Sequence, residues 1–212
     1  MAAAQAGNRL GRLEVVVLVR EAPRSDERER VYDADRHESG YVDNLTRVWS
    51  WRPDVFSGFT VLRDQLQERW SLTALDRAVL VVSTAAARGD SYCSLAWGAR
   101  LAELLDDTTV ADLILGSDEQ LDERSRALSA WASKVVRDPN TTTAADAERL
   151  RAAGLDDRAI AEATMFVGFR LAFSTVNDAL GAQPDAQLAA NVPAAIRDAV
   201  TYGRPPSTVP ST

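Results

Sequence analysis

From Tyr41 to Leu180 the apolar residues recur in steps of three and four, and cap or stop residues bound each run. That period lays one apolar face along an α-helix, and the two-residue alternation of a half-buried strand is missing. An all-α fold is therefore expected. A first helix over residues 41–50 is followed by one that Pro53 opens and that runs to about Trp70, with Val55, Phe59, Leu62 and Leu66 on one face. Thr73 with Asp76 reads as a capping box for a helix with the stripe Leu75, Val79, Val82 and Ala86, stopped at Arg88-Gly89. Asp90 is placed to cap the next, which carries Cys93, Trp97, Leu101 and Leu104 toward Asp106-Asp107.

A short helix over 109–115 stops at Gly116. Ser117 with Gln120 resembles a second capping box, ahead of Leu121, Leu128, Trp131 and Val135, and that helix ends at Asp138-Pro139. Thr143 with Asp146 opens another, ended by Gly154, and Asp156 caps a last long helix to Leu180. The last is apolar almost all round from Met165 to Phe173, the signature of a buried helix. This gives seven to eight helices over residues 41–182, divisible into halves of similar size, 41–116 and 117–182. Residues 1–40 read as an N-terminal extension or arm. Leu13 to Val19 would suit a short strand, and the charged stretch from Glu21 to Glu38 a loop or ordered arm. Residues 183–212 read as a polar C-terminal tail, loose from Pro205 onward. Trp49, Trp51, Trp70 and Trp131 are expected to anchor helix packing.

Charge and rare residues exclude several classes. The net charge is −7 with a pI near 4.8, so no nucleic-acid partner is expected, since phosphate binding needs a basic surface. One cysteine allows no internal disulfide. One histidine, His37, sits among Asp33, Asp35 and Glu38 and reads as a surface loop residue; with so few soft ligands no metal site is expected. The richest apolar run, Ala161 to Phe173, is broken by Glu162 and Arg170 and falls short of a membrane span, so no membrane partner is expected and a cytoplasmic location is the default. No glycine loop of the phosphate-cradling type is present, so no cofactor is implied.

The chemistry concentrates in Ala87-Arg-Gly-Asp-Ser-Tyr-Cys93-Ser-Leu-Ala-Trp97-Gly98. With Asp90 as N-cap, Cys93 falls in the first helical turn, where free N–H groups and the helix dipole favour a thiolate. The Asp90 carboxylate opposes that, which leaves the net shift open. Cys93 is also in phase with Trp97 and Leu101, the register of a small buried hydrophobe.

This stretch, with LTALDRAVLVVSTAAARGDSYCSLAWG, LDERSRALSAWASKVVRDPNTTTAADAERLRAAGLDDRAIAEAT and FSTVNDALGAQPD, resembles the alkylhydroperoxidase D and carboxymuconolactone decarboxylase superfamily, in its peroxidase-related branch. The resemblance spans about residues 72–185 and implies an AhpD-like helical domain. Redox members carry Cys-x-x-Cys, a histidine four residues after the second cysteine and a glutamate on the preceding helix. Cys93 matches the second, peroxide-reactive cysteine. Asp90 stands at the first, Trp97 at the histidine and Ala78 at the glutamate.

The resemblance implies a peroxiredoxin-type oxidoreductase, reducing a hydroperoxide through Cys93. With no resolving thiol in the chain, a sulfenic acid at Cys93 would need an external thiol, or the Cys93 of a second copy of the chain, as reductant. It also implies a homo-oligomer. Asp90, Tyr92 and Trp97 would line the pocket or tune the thiol. A non-redox enzyme of the decarboxylase type would instead use Asp90, Tyr92 and Arg170 on a small acidic or lactone substrate. A catalytically degenerate member would keep the helices for binding or assembly alone.

Overall fold

Local capping signals set most of the helix boundaries. The computed structural model describes residues 18–212. Among them are eleven α-helices, one 3-10 turn and no strand. The helices are α1 (Asp26–Glu38), α2 (Asn44–Trp49), α3 (Pro53–Glu68), α4 (Ala74–Arg88), α5 (Ser91–Leu101) and α6 (Asp107–Leu115), followed by α7 (Glu123–Arg137), α8 (Ala144–Ala152), α9 (Asp157–Leu180), α10 (Ala186–Asn191) and α11 (Ala194–Ala199). The 3-10 turn, Pro139–Thr141, links α7 to α8. Capping boxes close the starts of α4 (Thr73 with Asp76) and α8 (Thr143 with Asp146). Asp90 and Asp156 cap α5 and α9 through their side chains, and Gly89, Gly116 and Gly181 end α4, α6 and α9 in the left-handed conformation.

Helix α4 is the spine. Val79, Leu80 and Val82 are fully buried, and the helix lies along α7 on one flank and α5 on the other. Leu128 and Ala132 of α7, Leu95 and Leu101 of α5, and Ala163, Phe166 and Val167 of α9 complete the main core. Residues of both halves, 41–116 and 117–182, share this one core. Helix α9 has the length and hydropathy of a membrane-crossing helix, by composition only. It lies against α2, α3, α4, α7 and α8, and its Glu162 is buried with hydrogen bonds from Ser71 and Arg158.

The structure departs from the expected elements in several places. The stretch expected as a loop or arm holds a 13-residue helix, α1, which buries only Tyr32 and so shows no apolar period. His37 is exposed on that helix rather than in a loop. The strand suggested for Leu13–Val19 lies mostly outside the described residues, and Leu18 and Val19 form a bend. Helix α7 starts at Asp122, whose side chain takes the Ser125 N–H; Ser117 and Gln120 form no capping box, and Ser117 instead follows the C-cap of α6. Trp51 is 48% exposed, its indole N–H on the Arg20 carbonyl, and is no core anchor.

The expected polar tail is structured. Val192, Ile196 and Ala199 join the main core. Gly98 gives the reason for the fit of α11: a Cβ there would lie 2.7 Å from Ile196 Cγ2. The segment after α11 returns to the start of α5. Gly203 (φ +71°) sits against the Gly89 carbonyl and Ser91, Ser91 Oγ donates to the Arg204 carbonyl, and Tyr202 and Ser94 share a hydroxyl hydrogen bond of 2.8 Å. Residues beyond Pro205 are held as well: Ser207 is buried, its N–H on the Pro184 carbonyl, and Ser211 donates to Asp185.

Candidate functional site

The site forms where α5 starts beneath the middle of α9. Asp90 is fully buried and its Oδ1 takes the Cys93 N–H at 2.9 Å, which fixes the first turn of α5. Cys93 is the third residue of that helix and is 3% exposed. Its neighbours come from α9, one turn apart. Arg170 Nη2 donates to Cys93 Sγ at 2.8 Å, and Ser174 Oγ lies 3.9 Å from the same sulfur. Ser174 also donates to Asp90 Oδ2 at 2.5 Å. A hydrogen-bonded path thus leads from the thiol through a hydroxyl to a carboxylate.

Opposing effects act on the thiol, and burial is the largest. It pushes Cys93 up to about 12, Arg170 pulls it back, and Asp90 adds to the rise. The helix start therefore does not yield a resting thiolate, which settles the sign that the sequence left open.

Cys93 borders a cavity of about 480 Å³, lined also by Tyr92, Trp97, Arg170 and Phe173. That size suits a small organic molecule. Beneath it is an aromatic cluster: Trp49 stacks on Phe56, Phe59 and Phe173 at centroid distances of 5.5–5.8 Å, with its indole N–H on Asn177 Oδ1. Arg170 lies 5.0 Å over the Phe173 ring, so packing holds the guanidinium in place.

Two sets of charged residues line the cavity. The first is Asp35, Asp43 and Asp185, with Tyr41. Burial first, then its acidic neighbours, pushes Asp43 up to about 7. Asp185 is fully buried and takes hydrogen bonds from the Tyr92 hydroxyl, Ser211 Oγ and the Asn44 N–H. The same cavity is lined by Arg63, Arg77, Arg100 and Arg170, the last three over the Trp97 ring. Burial and the like charges of Arg63, Arg100 and Arg170 lower the Arg77 guanidinium from its usual value.

Of the residues singled out from sequence, Cys93, Tyr92, Trp97 and Arg170 all border this cavity. Asp90 lies behind its wall, bonded to the thiol's own N–H and to Ser174. Tyr92 is buried. Arg170 donates a hydrogen bond to the Cys93 sulfur. Ala78, at the position of the family glutamate, is a buried core residue of α4. Ser174, Arg77 and Arg100 were not anticipated. Ser174 was within reach of sequence reasoning, because it lies four residues after Arg170 on one face of a helix. Among the described residues no three His, Cys, Asp or Glu side chains gather as a metal site.

No protein-family model matches the sequence, and no curated protein matches it. Solved structures do. An uncharacterized peroxidase-related protein from Silicibacter sp. TM1040 superposes with a TM-score of 0.74 at 23% identity, over 84% of this chain and 97% of that one. The alkylhydroperoxidase AhpD core of a peroxidase-related protein from Ralstonia eutropha JMP134 gives 0.71 at 24%, over 82% and 94%. A debrominase, Bmp8, in a cysteine-to-alanine form in complex with 2,3,4-tribromopyrrole, gives 0.67 at 17%, over 86% and 97%. Helix order, capping signals and these superpositions agree: the chain has the all-α fold of the AhpD core, as found in peroxidase-related proteins.

Proposed function

We propose that the protein is a thiol-dependent peroxidase, with Cys93 as nucleophile toward an organic hydroperoxide and an external thiol as reductant. The observation that carries this reading is the contact of Arg170 with Cys93 Sγ on the wall of the cavity, backed by Ser174 and Asp90. The likeness to an AhpD core and to an uncharacterized peroxidase-related protein is consistent with this reading.

The resting thiol is protonated, so the first step is proton removal. Cys93 passes its proton through Ser174 Oγ to Asp90, and the Arg170 guanidinium stabilises the thiolate left behind. The sulfur then attacks the distal peroxide oxygen. An S–O bond forms, the O–O bond breaks, and the alkoxide leaves to take up the proton held on the Ser174–Asp90 path. The sulfur is oxidised to a sulfenic acid as the hydroperoxide is reduced to an alcohol. An external thiol attacks that sulfur, releases water and forms a mixed disulfide. A second external thiol restores Cys93 and leaves as the disulfide. Asp90 and Ser174 thus stand in for the acid–base pair missing at positions 78 and 97.

The test is hydroperoxide consumption with dithiothreitol as reductant, in wild type and Cys93→Ser, together with dimedone trapping. Loss of turnover in the variant and a dimedone adduct on Cys93 are expected. Equal turnover in the two proteins would sink the reading and favour a non-redox enzyme of the carboxymuconolactone decarboxylase type.

A further inference from the structure

Three guanidinium groups crowd one indole ring. Arg77 of α4, Arg100 of α5 and Arg170 of α9 lie 4.7, 4.9 and 6.0 Å from the Trp97 ring centroid. Elsewhere the arginines of this chain are commonly neutralised: Arg124 on Asp76, Arg151 on Glu148 and Asp157, and Arg158 on Glu162. Among the described residues none of the three around Trp97 has a carboxylate within ion-pair distance. Arg170 is only 6% exposed, and its one hydrogen-bond partner is a sulfur. Its Nε, and the Nε of Arg77, are buried with no partner at all.

Arg170 is buried, Arg77 half-buried and Arg100 exposed, so at Arg170 and Arg77 lost hydration and mutual repulsion oppose folding. Nothing in the core requires them, since α4, α5 and α9 are already joined by apolar contacts. The side chains of Arg77, Arg100 and Arg170 line the same cavity as Cys93. A carboxylate is the planar acceptor that a guanidinium fork fits best. The organic body attached to it has apolar surface to lie on, at Leu45, Phe56 and Leu188. The cavity is also lined by Asp35, Asp43 and Asp185, which repel a second carboxylate.

We infer that Arg77, Arg100 and Arg170 form a receptor for the carboxylate of a monoanionic organic substrate, with Trp97 as the platform that holds the guanidinium groups together. For the reacting end this rests on the peroxidase reading above, and it makes the substrate of Cys93 a hydroperoxide bearing one carboxylate. The binding end stands independently of the thiol.

The experiment measures binding of benzoate, benzamide, phthalate and inorganic phosphate by calorimetry. It uses Cys93→Ser protein, so that no reaction intervenes, alone and with Arg77→Gln, Arg100→Gln or Arg100→Lys added. Benzoate is expected to bind at least tenfold more tightly than benzamide, phthalate or phosphate. Either Gln substitution should weaken benzoate tenfold or more, with the far-ultraviolet dichroism unchanged, and Arg100→Lys should recover part of the loss. Equal binding of benzoate and benzamide, or no loss in a folded Gln variant, would overturn the inference. Phosphate binding as tightly as benzoate would show a simple oxyanion site and would equally overturn it. If Cys93 reduces a neutral hydroperoxide while benzoate fails to bind, only this inference falls. If benzoate binds and Cys93→Ser leaves turnover intact, only the peroxidase reading falls.

Discussion

Arg170 Nη2 lies 2.8 Å from Cys93 Sγ, although the two residues are 77 positions apart and on different helices. The contact is the one favourable charge that acts on a thiol otherwise disfavoured by burial and by Asp90. Replacing Arg170 by Met keeps a long apolar stem over Phe173 and removes the charge. The Cys93 thiol should then ionise at still higher pH. Its alkylation by iodoacetamide at pH 9, followed by mass spectrometry, should slow by about tenfold, the equivalent of one pKa unit. An unchanged rate would remove Arg170 from the account of the thiol.

The raised thiol also makes stability depend on alkaline pH. The folded protein holds the Cys93 proton up to about 12, against 9.0 for a free thiol. Its contribution is fully present below pH 9 and is lost as pH rises from there toward 12, because the unfolded chain releases the proton first. At pH 10.5 wild type should have lost about 2 kcal/mol relative to pH 8, a loss that Cys93→Ala does not share. Urea midpoints of the two proteins at both pH values measure the difference.

Asp43 gives the opposite half of the pH range. Burial and acidic neighbours push it up to about 7 from 3.8. The contribution is present below pH 3.8 and is lost as pH rises through about 7, so the ionised form strains the fold at pH 8. It is the N-cap residue of α2 but makes no side-chain capping bond, so Asn forfeits nothing there. Asp43→Asn is expected to stabilise by about 2 kcal/mol at pH 8 and by little at pH 4, read from urea melts at each pH. The part-exposed position keeps the gain below the full linkage value.

Two helical glycines should answer the same substitution with opposite signs. A Cβ on Gly58 of α3 meets nothing within 4 Å, whereas one on Gly98 of α5 would lie 2.7 Å from Ile196 Cγ2 and 3.4 Å from Ile114 Cδ1. Gly58→Ala should stabilise by about 0.5–1 kcal/mol through backbone entropy. Gly98→Ala should destabilise by roughly 1–3 kcal/mol, because α11 must move off α5. Thermal melts of the pair decide it, and a stabilised Gly98→Ala would mean that the α5–α11 contact is looser than described.

Much of the architecture was written locally. Thr73 with Asp76, Thr143 with Asp146, Asp90, Asp156 and the glycines at 89, 116 and 181 act within a turn of their own helix, so spacing alone finds them. Helix α1 escaped because only Tyr32 of its 13 residues is buried, and α10 and α11 because six residues show too little period. The site divided along the same line. Cys93, Tyr92 and Trp97 share one helix and Asp90 caps it, so one short stretch revealed them. Arg77 joined them only through the way α4 lies against α5, and no local pattern encodes that crossing.

The return of residues 202–204 to the start of α5 carries a consequence for how the protein is made. The hydroxyl of Tyr202, Gly203 and the Arg204 carbonyl secure the turn that holds Cys93, and Asp185 and Leu188 complete the cavity wall. On a ribosome the core helices α4 to α9 emerge and can fold before any of these residues is available. The turn that carries Cys93 thus gains its hydrogen bonds from Tyr202 and Arg204 only after the core helices have been made.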